Sequence, residues 1–188
     1  MKHTILLTSI AAALFTLTVP PAVFAADEAK TEKTDTAQAT ADAQFMHEVI
    51  RGGFTEIKSA EIAQHETKRD DVKEFAKTME KDHKDVNKNL KTLADRMKMK
   101  LPNDFGDHQA YIDGLKAKAK ANAEDFDRTY VAESVAAHSR CVAMFEKFSS
   151  ETKNADLKAF ADNTLPGLRT HLKRATDLLA VLGAAAVK

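Results

Sequence analysis

The stretch TMEKDHKDVNKNL, residues 78–90, decides the fold. Met79, Val86, Leu90 and, just beyond, Leu93 recur at the spacing of one face of an α-helix, and His83 stands in the same row. Followed outward, the row runs Val72, Phe75, Met79, His83, Val86, Leu90, Leu93 and Met97. That stripe predicts a helix over residues 70–99, with Asp70 or Asp71 as its N-cap. At about 100° per residue, His83 lies within about 40° of Met79, well inside the stripe. Asp82 sits at the border, able to orient His83, and Glu80 points to the far flank. A helix that sets an imidazole among aliphatic side chains must give it a partner, because a buried polar group without one is costly.

The chain around this stretch is built for helices. It has 188 residues, one domain's length and enough for a real core. Ala, Lys, Asp, Glu and Leu dominate, Gly and Pro are few, and Trp is absent. The formal charge is +0, which argues against a nucleic-acid partner held by a basic field. Cys141 is the only cysteine, so no intramolecular disulfide is possible.

The N-terminus reads as a targeting segment. Lys2 and His3 precede an apolar run over residues 5–19, and VFA at residues 23–25 offers small residues at the two positions a signal peptidase reads. We expect residues 1–25 to be a signal peptide cleaved after Ala25 and the mature protein to be periplasmic. The apolar run is too short for a retained span, so no membrane span is expected after cleavage. Residues 26–43, polar and rich in Thr and Ala without an apolar period, read as a flexible linker.

The folded domain is expected over residues 44–182, with a tail at 183–188. Besides 70–99, amphipathic segments run over residues 44–67, 123–151 and 154–182. Pro166 should kink the last of these or mark its true start. LPNDFGD at residues 101–107 breaks the chain, and a weaker helix fits residues 107–118. Short links make the first pair and the last pair of segments antiparallel hairpins. The connection between the pairs is long enough to run the length of a bundle. The fold is therefore an all-α four-helix bundle. It is either the ferritin-like arrangement, with one long crossover carrying a short helix between helices 2 and 3, or a plain up-down bundle with an extra packed helix.

The same periodicity test places a polar layer inside that bundle. His138 is central in the row Val131, Val135, His138, Val142, Phe145. His171 is inside the row Leu157, Phe160, Thr164, Leu168, His171, Ala175, Leu178. Glu56 falls on the inward side of the first segment, while His47 and His65, each nine residues away, fall on the opposite side. His108 lies in the crossover. Glu56, His83, His138 and His171 each sit near the middle of their segment, some 4 Å either side of the midplane at about 1.5 Å per residue. One layer thus holds three imidazoles and a carboxylate.

Two readings follow. Buried polar groups commonly pair with one another, and a hydrogen-bonded Glu–His network would fix the register of the bundle. Alternatively the layer binds a divalent metal, for which zinc, copper, iron and manganese are candidates, with Glu56, His83, His138 and His171 as ligands and Asp82 behind them. A di-iron centre is disfavoured. Glu80-x-x-His83 has the right letters, but Glu80 points away, and Leu168 and Val135 stand where the other pairs would need Glu. Cys141 reads as a small buried thiol and Tyr130 as packing with its hydroxyl satisfied. No Ser–His–Asp context or Gly-rich phosphate loop is present, so no catalytic residue is assigned. An enzyme would need a second metal or an open cavity. Phe54, Ile62 and Met144 lie off the core stripes and face either a protein partner or the crossover helix.

These residues also carry a resemblance. GG-x-x-E at residues 52–56, VKEFAKTMEKDH at 72–83, FDRTYV at 126–131 with His138, and LKAFADNTLPGLRTHL at 157–172 resemble the exported bacterial domain-of-unknown-function family 4142. The likeness covers about residues 44–180, and M-x-x-D-H and L-P-x-L-x-x-H are its most specific pieces. It implies export and a ferritin-like bundle, and no established activity. Its motif positions fall here on Glu56, Asp82, His83, His138, Pro166 and His171. Glu80 and Cys141 lie outside the pattern.

Overall fold

The computed structural model describes residues 22–121 and 123–185 and contains five α-helices. They are α1 (Ala22–Glu66), α2 (Asp70–Arg96), α3 (Gln109–Ala121), α4 (Ala123–Glu151) and α5 (Ala155–Ala185), with a 3₁₀ turn at Gly106–His108 leading into α3. The expected signal segment lies largely outside the described residues.

Contacts between side chains fix the direction of each helix. On α1 and α2, Gln64 bonds Glu80 while Gly53 faces Asn87, so these helices are antiparallel. On α4 and α5, Glu146 pairs with Arg169 and Ser149 with Asp162, again antiparallel. On α2 and α5, Thr78 meets Arg174 and Arg96 meets Asp156, also antiparallel. But Phe75 meets Tyr130 and His83 meets His138, so α2 and α4 run parallel. The order is up, down, down, up, and the segment carrying α3 must run the length of the bundle between α2 and α4. The plain up-down alternative is excluded.

Helix ends follow local chemistry. Asn154 caps α5, its Oδ1 accepting from the backbone N–H groups of Asp156 and Leu157. Pro166 therefore does not mark the start of α5, which runs through it. The cap and the burial of Leu157, Ala161 and Leu165 before it and of Leu168 and Ala175 after it hold the helix together. α2 ends at Arg96 rather than at residue 99. Lys98 takes a left-handed conformation at φ 55°, and the N–H groups of Lys98 and Met99 return to the carbonyls of Asp95 and Ala94.

The linker expected over residues 26–43 is helix, part of α1. The segment lacks an apolar stripe, but from residue 22 onward it also lacks Gly and Pro, and Ala, Glu, Lys and Gln are good helix formers. Absence of a stripe reports absence of packing, not absence of helix. Asp42, at its end, is packed: it is buried and accepts from Gln38 and from Thr152, just past the end of α4.

The core has two clusters. One is aromatic, built on Phe45, Phe145 and Leu165 with Phe148 and Phe160 against it. The other is built on Val72, Phe75, Met79, Phe126 and Tyr130. The crossover is clasped to α1 by polar contacts. His47 donates to the Lys100 carbonyl at 3.1 Å, Arg51 pairs with Asp104, and Thr55 Oγ1 lies 3.1 Å from His108 Nδ1. His47, expected to face solvent, is thus half-covered by the crossover, whereas His65 is exposed. Phe54 and Met144 pack against the aromatic cluster and Ile62 against the other, so these three do not form a free patch. Among the described residues no helix is long and apolar enough to cross a membrane.

Candidate metal centre and its flanking cavities

Three of the four residues expected in the polar layer come together. His83, His138 and His171 are all buried, and one ring nitrogen of each lies within 4.8 Å of the others. Their ring centroids form a nearly equilateral triangle with sides of 5.3, 5.4 and 5.5 Å. α2, α4 and α5 each supply one, because each histidine occupies a core position at matching depth of its helix.

Two of the outward nitrogens have partners. His138 Nδ1 donates to the Ser134 carbonyl at 2.9 Å, which leaves its Nε2 as the lone-pair nitrogen. His171 Nε2 donates to Asp82 Oδ2 at 3.0 Å, which leaves Nδ1. That Nδ1 is buried and has no hydrogen-bond partner. The His83 and His138 Nε2 atoms are 3.3 Å apart. Two nitrogens on one tetrahedral ion, each about 2.0–2.1 Å from it, would be separated by about 3.3–3.4 Å.

Electrostatics favours the neutral form of His83 and His138. Burial pushes the His83 imidazole well below its ordinary value, and the facing His138 and His171 rings push it the same way. Burial, reinforced by His171, lowers His138 to about 4. Asp82 is held below the usual carboxylate range by its bonds to His171 and Lys81, which together outweigh its partial burial. Asp82 was expected to orient His83, but its partner is His171. It lies on the border facing α5, and sequence periodicity on α2 alone does not show which neighbour that border meets.

Glu56 is not one of the converging group. It lies on the wall of a cavity of about 480 Å³ that also reaches His83, Tyr111, Arg140 and Cys141. Burial raises the Glu56 carboxyl to about 7, against the opposing pull of Arg140. The same burial pushes the Cys141 thiol up to about 12, so it is an inert thiol at neutral pH. A second cavity of about 440 Å³ opens between α2 and α5, with Asp82, His83 and His171 on its wall. His83 therefore stands between two cavities, and neither was visible in the sequence.

Other buried groups differ from expectation. The Tyr130 hydroxyl has no partner. Both amide atoms of Asn87, one turn beyond His83, are also unpaired. Asn87 packs so closely on Gly53 that a Cβ there would sit 2.0 Å from Asn87 Oδ1. The first helix must carry glycine at this point for α2 to approach.

The sequence profile of a domain-of-unknown-function family, DUF4142, matches residues 27–178. The chain belongs to the DUF4142 family. No curated protein matches it. Among solved structures the chain is similar to a crystallised DUF305 fragment from Deinococcus radiodurans, with a TM-score of 0.65. The two are 13% identical over 74% of this chain and 95% of that one, a likeness of fold. In this DUF4142 protein the Asp82–His83 and His171 pieces of the sequence pattern meet at one point, joined by His138.

Proposed function

We propose that this DUF4142 protein is exported to the periplasm, where it binds one divalent first-row transition ion through His83, His138 and His171. The observation that carries the reading is the buried, unpartnered Nδ1 of His171, whose Nε2 is held by Asp82, converging with His138, whose Nε2 lone pair is fixed by the bond from Nδ1 to Ser134, and with the His83 ring beside it. A hydrogen-bonded network uses the His83–His138 contact but leaves that atom orphaned, at a cost of about 1–3 kcal/mol. An ion uses all three. An imidazole held from behind by a carboxylate or a carbonyl is the arrangement that orients metal ligands, and depressed pKa values keep His83 and His138 in the neutral form a ligand needs. Imidazole donors suit zinc, copper and iron better than manganese, which prefers oxygen. Three protein ligands leave a fourth position for water or an external ligand. The apolar run and VFA site of the N-terminus support export.

The test is to titrate zinc, copper(II), iron(II) and manganese into the metal-free chain and to read stoichiometry and melting temperature. We expect one ion per chain and a stabilisation of about 2.7 kcal/mol at a hundredfold excess over Kd. If none of the four ions binds or raises the melting temperature, the triad is a structural network and this reading falls.

A further inference from the structure

The 480 Å³ cavity holds a carboxylate without a partner. Glu56 makes no hydrogen bond or ion pair with any described residue. Its surroundings are apolar in part, with Val49, Met144 and Leu168 on the same wall. Charge there is unbalanced. Glu48, Asp107 and Glu133 join Glu56 on the wall, Arg140 is the only Lys or Arg among its described residues, and His108, on the same wall, lies 3.5 Å from Glu48 rather than on Glu56. The space itself has a local origin. Gly52 lines the cavity one turn before Glu56, and a Cβ at Gly52 would meet nothing within 4 Å. A glycine with open space beside it keeps the wall hollow next to the acid.

We propose that this cavity is a binding site for a small organic cation, an alkylammonium whose charge pairs with Glu56 and whose short apolar body lies along Val49, Met144 and Leu168. An unpaired carboxylate among apolar walls is costly, and a cation that fills the space and donates to it removes that cost. An anion of the same size would face the acidic residues on the wall, and a neutral molecule would leave Glu56 as it is. The volume falls in the range of small-molecule sites. Burial raises the Glu56 carboxyl to about 7, and a cation bound beside it would draw it into the charged form. Because His83 closes one side of the cavity, a bound amine would lie beside the triad, yet its binding requires no metal.

The experiment is titration of the metal-free chain with n-butylammonium, n-butyrate and n-butanol, followed by calorimetry and by amide chemical shifts in NMR. We expect n-butylammonium to bind saturably and about tenfold or more tightly than the other two, the size of one charge-assisted contact. Glu56→Gln, close in shape, should remove that preference. Gly52→Leu should abolish binding with the fold intact, since it fills open space and leaves Glu56 in place. Arg140→Gln should tighten binding by removing the competing cation. The proposal is overturned if n-butylammonium does not bind, if n-butyrate or n-butanol binds as well, if the preference survives Glu56→Gln, or if binding survives Gly52→Leu. Because no metal is present, these outcomes are independent of whether the triad holds an ion.

Discussion

The corner made by α2, α4 and α5 and the corner made by α1 and the crossover share His83 on a common cavity wall, but they treat buried polarity in opposite ways. In the first, three imidazoles converge, Ser134 and Asp82 hold two of them from behind, and one nitrogen is left over. In the second, one carboxyl faces a hollow, with Arg140 the only Lys or Arg among the described residues of the wall. Burial drives the titration of both, but in opposite senses: it pushes the His83 and His138 imidazoles down and the Glu56 carboxyl up. The first corner is organised around an atom to be bound and the second around a space to be filled. Depth in a bundle does not determine role; the number of convergent partners does.

The largest expected effect comes from destroying the first corner alone. His138→Ala removes a fully buried ring and orphans His83, which should cost about 2–4 kcal/mol of stability in the metal-free chain. It should also abolish any metal-induced rise in melting temperature. A full metal response in this variant would show that the ion sits elsewhere. Less severe is Asp82→Asn, which keeps the ring of His171 but loses the charge behind it. Metal affinity should fall about 10- to 100-fold while the chain keeps its fold, as read by competition with a chelating dye. Unchanged affinity would mean that Asp82 does not orient a ligand.

Gly53→Ala tests how the corners are held together. The added Cβ meets the Asn87 side chain and must displace it or push α1 from α2, at a cost of about 1–3 kcal/mol in urea unfolding. Because Asn87 makes no hydrogen bond, shortening it should restore the loss, so the double variant Gly53→Ala with Asn87→Ala should be more stable than Gly53→Ala alone. If the second change adds to the damage instead, Asn87 has a partner that the packing does not reveal.

Much of this was legible along the chain, for definite reasons. The 3.6-residue period put His83, His138 and His171 inward because burial of a helix face is a local property. Chain length between segments bounded the topology, while the contacts of His83 with His138 and of Phe75 with Tyr130 decided it. What periodicity cannot carry is the neighbour across a helix border. Asp82 therefore looked like a partner of His83 and is one of His171. Glu56 has the inward phase, yet an inward phase does not distinguish a packed position from the wall of a hollow. The early part of α1 was missed because helix propensity without a stripe resembles a linker. The GG-x-x-E piece had a cause that only packing shows: one glycine admits Asn87 and the other leaves the cavity open.

The smallest effect is a difference between two pH profiles, and it compares the corners directly. His138 has a folded-state value of about 4 against an ordinary 6.5, so below pH 6.5 the unfolded chain binds a proton that the folded chain refuses. Its contribution to stability is complete above about 6.5 and is lost as the pH falls toward 4, and His83 acts in the same direction. Glu56 is raised from 4.5 to about 7, so between those values the folded chain holds a proton that the unfolded chain has released. That contribution is complete below about 4.5 and is lost as the pH rises to 7. Over pH 4.5–6.5 Glu56 therefore opposes the histidines and blunts the acid loss. Glu56→Gln removes the opposing slope. In urea unfolding of the metal-free chain, the stability of the variant relative to the parent should fall on acidification from pH 7 to 4.5 by up to about 1.4 kcal/mol per pH unit. A constant difference across that range would mean that Glu56 is already paired as an ordinary carboxylate, and the two corners would then not differ in the way their geometry indicates.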